Sequence, residues 1–169
     1  MLDDLPFLQD VSLRGNNIAG IASGSLSWLS QLIAADFSYN DIQNIVGVFT
    51  NLTWLELLNL NANNIQNIDG AFDGSFALSS NTSLGLVGNS ITQLTTGSFA
   101  GLSNLDSLEI SDNDISTIAS GSFQDLSNLE YLDISNNLLT SVDVGDFAGL
   151  WSLEELYLGQ NDIATIASG

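Results

Sequence analysis

The chain has 169 residues, enough for one domain, and 44% of them are hydrophobic, enough for a core. Its charge is one-sided: 20 acids stand against the single basic residue Arg14, with no His, for a net charge of −19. That balance argues against nucleic acid and against anionic membrane surfaces, both of which are gripped by Lys and Arg, and leaves a basic partner, a cation or salty surroundings open.

There is no cysteine, so no disulfide or thiolate metal site can form and the redox compartment cannot be read. The longest apolar runs fall far short of a membrane span, so no direct membrane insertion is expected from this segment. Met1-Leu2-Asp3-Asp4 carries no signal-peptide pattern.

In chain order, Leu2, Leu5 and Leu8 read as the tail of a preceding repeat that runs into a first strand. One unit then recurs, marked by Asn16, Asn40, Asn63, Asn89, Asn113, Asn137 and Asn161, at steps of 24, 23, 26, 24, 24 and 24 residues. Before each Asn stands L-x-x-L-x-L-x-x, as in Leu105, Leu108 and Ile110, or Leu129, Leu132 and Ile134, or Leu153, Leu156 and Leu158. The alternation within L-x-L points one face of a short strand of about five residues inward. After the Asn come x-I-x-x-I, as in Ile115 and Ile118, and G-x-F-x-x-L, as in Gly121, Phe123 and Leu126. The Phe and final Leu are expected to fill the far side of the core. No unit buries its apolar face alone, so neighbours must stack. The Asn amide both donates and accepts, so a ladder of them can satisfy buried backbone groups in adjacent turns.

One unit is irregular. Between Ile68 and Leu84, Asp69-Gly70-Ala71-Phe72 is followed by Asp73-Gly74-Ser75-Phe76, and Asn81 takes the place of the first strand leucine. A looser surface loop is expected there, with a projecting binding loop as the alternative. The C-terminus stops in mid-repeat at Ala167-Ser168-Gly169 and carries no polar cap. Residues 1–169 therefore read as a single domain of about seven repeats, a fragment of a longer array.

The pattern over the whole chain resembles the typical class of the leucine-rich repeat family. The resemblance implies an α/β-type, right-handed curved solenoid. Its parallel β-sheet would line the concave face, and the convex side would be mostly irregular or short-helical. It also implies protein recognition, often outside the cell, so an extracellular or cell-surface location is expected. The plant-type G-x-I-P signature and the common Pro of the turn are missing.

Catalysis has little to work with. Without His, Cys or Lys the commonest general base, the thiolate nucleophile and Schiff-base chemistry are gone, and no enzyme activity is expected. No cofactor or metal is expected either: Asp112 and Asp114 flank Asn113, but the full calcium-loop pattern is absent.

The outward positions within and beside the strands hold ten of the 20 acids. Asp10, Asp36 and Glu56 lie early; Asp106, Glu109, Asp112, Glu130, Asp133, Glu154 and Glu155 lie on the last three rungs, with Tyr131 and Tyr157 among them and Tyr39 earlier. Like charges stacked on adjacent strands repel modestly. The expected ligand surface is thus the acidic sheet face, with the tyrosines as anchors and a basic protein or peptide as partner. The competing expectation is a structural or surface-coat array, its acidity serving solubility or a salty habitat. Two glycosylation tripeptides occur, at Asn51 and Asn81. Trp28, Trp54 and Trp151 are expected to pack on the back side, and Arg14 to be a lone solvated charge.

Overall fold

The computed structural model describes residues 4–72 and 82–167. Its strands in chain order are β1 (Asp10–Ser12), β2 (Ala34–Asp36), β3 (Leu57–Asn59), β4 (Thr82–Gly85), β5 (Gln93–Leu94), β6 (Leu105–Glu109), β7 (Thr117–Ile118), β8 (Tyr131–Asp133), β9 (Ser141–Val142), β10 (Glu155–Tyr157) and β11 (Thr165–Ile166). One sheet of seven parallel strands runs in the order β1-β2-β3-β4-β6-β8-β10. Each coil contributes one strand, so the chain climbs one rung per repeat. Most of these strands have three residues and β6 has five, so most are shorter than the sequence pattern suggests.

The register sorts side chains into columns. Val11, Ala35, Leu58, Leu84, Leu108, Leu132 and Leu156 align across the sheet; all but Leu156, which is exposed on the last rung, belong to the core or pack against it. Ile42, Ile65, Ile91 and Ile115 line the next turn and are fully buried. The aromatic slot opposite the sheet holds Phe49, Phe72, Phe99 and Phe123, all buried, with Leu26 taking the place in the first complete coil. Phe99 stacks on Phe123 at 5.6 Å and Phe123 on Phe147 at 6.0 Å, with nearly parallel rings. Fully burying a side chain such as Leu108 stabilises by roughly 1.5–3 kcal/mol, and each coil repeats that contribution.

The side opposite the sheet is irregular, one of the two forms expected, and not short-helical. Among the described residues it contains no α-helix, only turns and the parallel pairs β5·β7 and β9·β11. The local hydrogen bonds there span three residues, as in Leu29 N–H to Leu26 and Leu126 N–H to Phe123. Such a short segment cannot offset the cost of nucleating an α-helix.

The repeat Asn side chains join the coils. The Nδ2 of Asn113 donates to the Ile110 carbonyl of its own coil at 3.2 Å and to the Leu86 carbonyl of the coil before at 3.0 Å. Its Oδ1 accepts the Ile91 N–H at 3.0 Å. The same pattern holds at Asn40, Asn63, Asn89, Asn137 and Asn161. The residue before every repeat Asn has a positive φ: Gly15, Tyr39, Ala62, Gly88, Asp112, Asn136 and Gln160, between 50° and 69°. That left-handed residue turns the chain inward and aims the amide into the core. A side chain with a Cβ resists this conformation at a cost of roughly 1–2 kcal/mol.

The irregular unit falls largely on residues 73–81, outside the described residues. Where the chain resumes, the register shifts: Thr82 pairs with Leu105 but Ser83 pairs with Ser107. The carboxylate of the bulged Asp106 accepts the Thr82 N–H at 2.7 Å, and the Thr82 hydroxyl donates to the Asn104 carbonyl.

Replacing Asn113 by Ala strands the buried Ile91 N–H and takes one of two donors from the Leu86 and Ile110 carbonyls, which keep Asn89 and Asn137, and a thermal or denaturant melt is expected to register a loss of about 1–3 kcal/mol. Ala62→Gly relieves the left-handed turn and is expected to gain about 0.5–1 kcal/mol, while Gly88→Ala loses a similar amount; equal midpoints for the two variants would refute this account of the turn.

Candidate functional site: the outward face of the sheet

Two outward columns flank the buried one. The first aligns Asp10, Ala34, Leu57, Ser83, Ser107, Tyr131 and Glu155; the second aligns Ser12, Asp36, Asn59, Gly85, Glu109, Asp133 and Tyr157. The last three rungs of the sheet therefore gather Glu109, Tyr131, Asp133, Glu155 and Tyr157 into one patch. The Tyr131 and Tyr157 rings lie 5.4 Å apart at a tilt of 41°, a favourable separation for an aromatic pair. Tyr157 is 47% exposed, and its hydroxyl donates to the Glu155 carboxylate at 2.8 Å.

Asp106, Glu130 and Glu154 form a line beside this patch, where the strands begin: the Glu130 N–H donates to the Asp106 carbonyl and the Glu154 N–H to the Glu130 carbonyl, both at 2.9 Å. Glu56 occupies the matching position next to β3. The remaining candidates lie apart. Asp112 sits on a left-handed turn and accepts a hydrogen bond from Asn136. Tyr39 also sits on such a turn, 56% exposed, at the other end of the sheet.

Arg14 is not a lone solvated charge. Its guanidinium lies 4.1 Å from the Tyr39 ring centroid, and Nη1 donates to the buried Ser38 hydroxyl at 2.7 Å. The cation is attracted by the ring's negative face while its donors stay hydrogen-bonded. The signal was present in sequence, since Arg14 and the residue before Tyr39 hold the same place in consecutive coils.

Sequence reasoning also missed a local role for two acids. The Asp36 carboxylate accepts the Ser38 N–H, and the Asp133 carboxylate accepts the Ser135 N–H, each at 2.9 Å. Asn59 does the same for the Asn61 N–H at 3.0 Å. These short side chains close the strand end as Asx turns, which offsets part of the repulsion between stacked charges. Gly85 interrupts the second column, and a Cβ there would come within 2.8 Å of the Asn61 Oδ1. That oxygen already accepts the Val87 N–H.

The tryptophans overturn another expectation. Trp28, Trp54 and Trp151 are 69%, 58% and 84% exposed. Each is next to a leucine that takes the interior position, Leu29, Leu55 or Leu150, and the coil has no room for both. Trp54 lines a shallow cleft of about 220 Å³ with Gln9, Gln31 and Ile33. No acid lines it, so it is separate from the acidic patch. Of the two glycosylation tripeptides, Asn51 is exposed on a turn with φ 67°, and Asn81 lies outside the described residues.

The patch perturbs its own tyrosines. Partial burial, followed by the charges of Asp133, Glu109 and Glu155, raises the Tyr131 phenol above its ordinary value. For Tyr157 the hydrogen bond to Glu155 dominates, followed by the Glu155 charge. Both phenols therefore hold their protons more tightly in the folded chain. The stability this contributes is present below pH 10 and is lost as pH rises through the folded midpoints. Ultraviolet titration is expected to find two phenols ionising above the ordinary range, with Glu155→Gln lowering Tyr157 more than Tyr131; an unchanged titration would refute the coupling.

No curated protein matches the chain. Its fold is similar to a segment of TLR13 in the TLR13–ssRNA13 complex, with 28% identity and a TM-score of 0.66, covering 96% of this chain and 26% of that one. It is also similar to the Toll–Spatzle complex of Drosophila, with 24% identity and a TM-score of 0.81, covering 98% of this chain and 22% of that one. The chain thus spans about a quarter of the length of these neighbours. The leucine-rich repeat model matches residues 79–129 and 103–163, half of the sequence. With its one-strand-per-repeat parallel sheet and asparagine-linked coils, the chain belongs to the leucine-rich repeat family.

Proposed function

We propose that the chain is a recognition module that binds a basic protein or peptide through the outward sheet face, as part of the ectodomain of a cell-surface receptor or adhesin. The observation that carries this reading is the patch on consecutive rungs in which Tyr131 and Tyr157 pair beside Glu109, Asp133 and Glu155. Rigid aromatic rings give contact area at low entropic cost, and the surrounding carboxylates steer a cation toward them. The two neighbours support a binding role, since one was captured with ssRNA13 and the other with Spatzle. Net charge favours the protein ligand over the nucleic acid for this chain, because −19 repels phosphate and Arg14 is already engaged. The module binds and does not catalyse: it has no His, Cys or Lys to serve as base or nucleophile.

An oligo-lysine peptide, with an oligo-glutamate peptide of equal length as control, tests the reading by titration. Binding of the cationic peptide is expected to weaken about tenfold with Tyr157→Ala and several-fold with the Glu109→Gln/Asp133→Asn pair. Added salt is expected to weaken the complex while leaving the fold intact or more stable. Affinity indifferent to all three substitutions would favour the surface-coat array instead.

A further inference from the structure

We propose that Asn51 is an attachment point for an N-linked oligosaccharide, which covers the neighbouring face of Trp54; this rests on the reading that the chain is exported. Within Asn51-Leu52-Thr53, Leu52 is fully buried while Asn51 and Thr53 are both exposed. The alternation turns the amide and the hydroxyl outward together, as an acceptor tripeptide must present them. Asn51 occupies a turn at φ 67°, where the corresponding residues of later coils are Gly101 and Gly149 at 86° and 105°. Asn tolerates the left-handed region better than most residues, so the site is a protruding turn and not part of a strand. The amides of Asn40 and Asn63 are fully committed to the ladder. The Asn51 side chain makes no hydrogen bond among the described residues.

The surroundings suit a neutral sugar. No charged side chain occurs from Gln43 to Leu55, and Trp54, three residues beyond Asn51, is 58% exposed. An indole face offers the C–H side of a pyranose a broad apolar contact. In the modification, the Asn51 amide nitrogen displaces the lipid pyrophosphate from the anomeric carbon of a lipid-linked oligosaccharide. The C–N bond forms as the C–O bond breaks, the pyrophosphate leaves with the electron pair, and the amide gives up one proton.

The test uses the full 169-residue chain carrying Asn81→Gln, secreted from a eukaryotic host behind a supplied leader. Treatment with a peptide N-glycosidase is expected to remove the oligosaccharide mass and convert residue 51 to Asp. Thr53→Ala, which leaves the Asn51 turn unchanged, is expected to abolish the modification, as is Asn51→Gln. A secreted, folded chain with unmodified Asn51 would overturn the proposal, and because the leader is supplied that failure is independent of where the native chain resides. Labelling of the native chain on intact cells tests the export reading separately. The glycosylated form is also expected to show weaker acrylamide quenching of tryptophan fluorescence than the deglycosylated form, a difference lost in Trp54→Phe. Equal quenching would overturn the contact with Trp54.

Discussion

Every coil from Asn40 onward is tied to the previous one by a side-chain amide that both donates and accepts. The repeat Asn must donate twice to carbonyls that lie in two different coils and accept once from an N–H of the earlier coil. Aspartate lacks the donors, and an apolar residue lacks both functions. Backbone bonds between coils continue past the short strands, as from Leu86 to Glu109 and Gly88 to Ser111, and these buried bridges add a link on the inner side of the same turns. The left-handed residue before each Asn is part of the same device. Tyr39, Ala62 and Gln160 hold that conformation because the surrounding bonds and packing over-determine it.

With the interior so constrained, variation moves to the outward columns. Small residues occupy the middle of the face, where Ser83, Gly85 and Ser107 lie, and bulk and charge accumulate on the last three rungs. Stacked carboxylates weaken the fold by somewhat less than 1 kcal/mol per pair in water, on the order of the Coulomb term, yet Asp133, stacked on Glu109, also closes its own strand end. The acidic face is therefore partly structural and partly available. Glu109 and the tyrosine pair belong to its available part, because their side chains do not cap the backbone, and Glu130, Glu154 and Glu155 are among its exposed acids.

The aromatic residues divide by a simple rule of place. Phenylalanines at the repeat position stack in the interior, while tryptophans one residue away from an inward leucine stand in solvent. A chain with three exposed indoles and one basic residue carries two different surfaces: an acidic, tyrosine-bearing end of the sheet, and an uncharged flank around Trp54.

The period of the repeat and the alternation of its leucines by themselves determined the parallel stack, the inward columns and the position of the asparagine ladder, because a unit that cannot bury its apolar side alone has one way to do so. They also determined that Glu109, Asp133 and Tyr157 share a column, since equal spacing places equivalent residues on one line. Only the tertiary structure decided what each outward side chain does. The Arg14–Tyr39 contact, the capping by Asp36 and Asp133, the exposure of Trp28, Trp54 and Trp151, and the choice of turns over short helices on the far side depend on distances between coils and on which of two adjacent residues the core can hold. Those are packing outcomes of neighbouring rungs, and a one-dimensional pattern does not contain them.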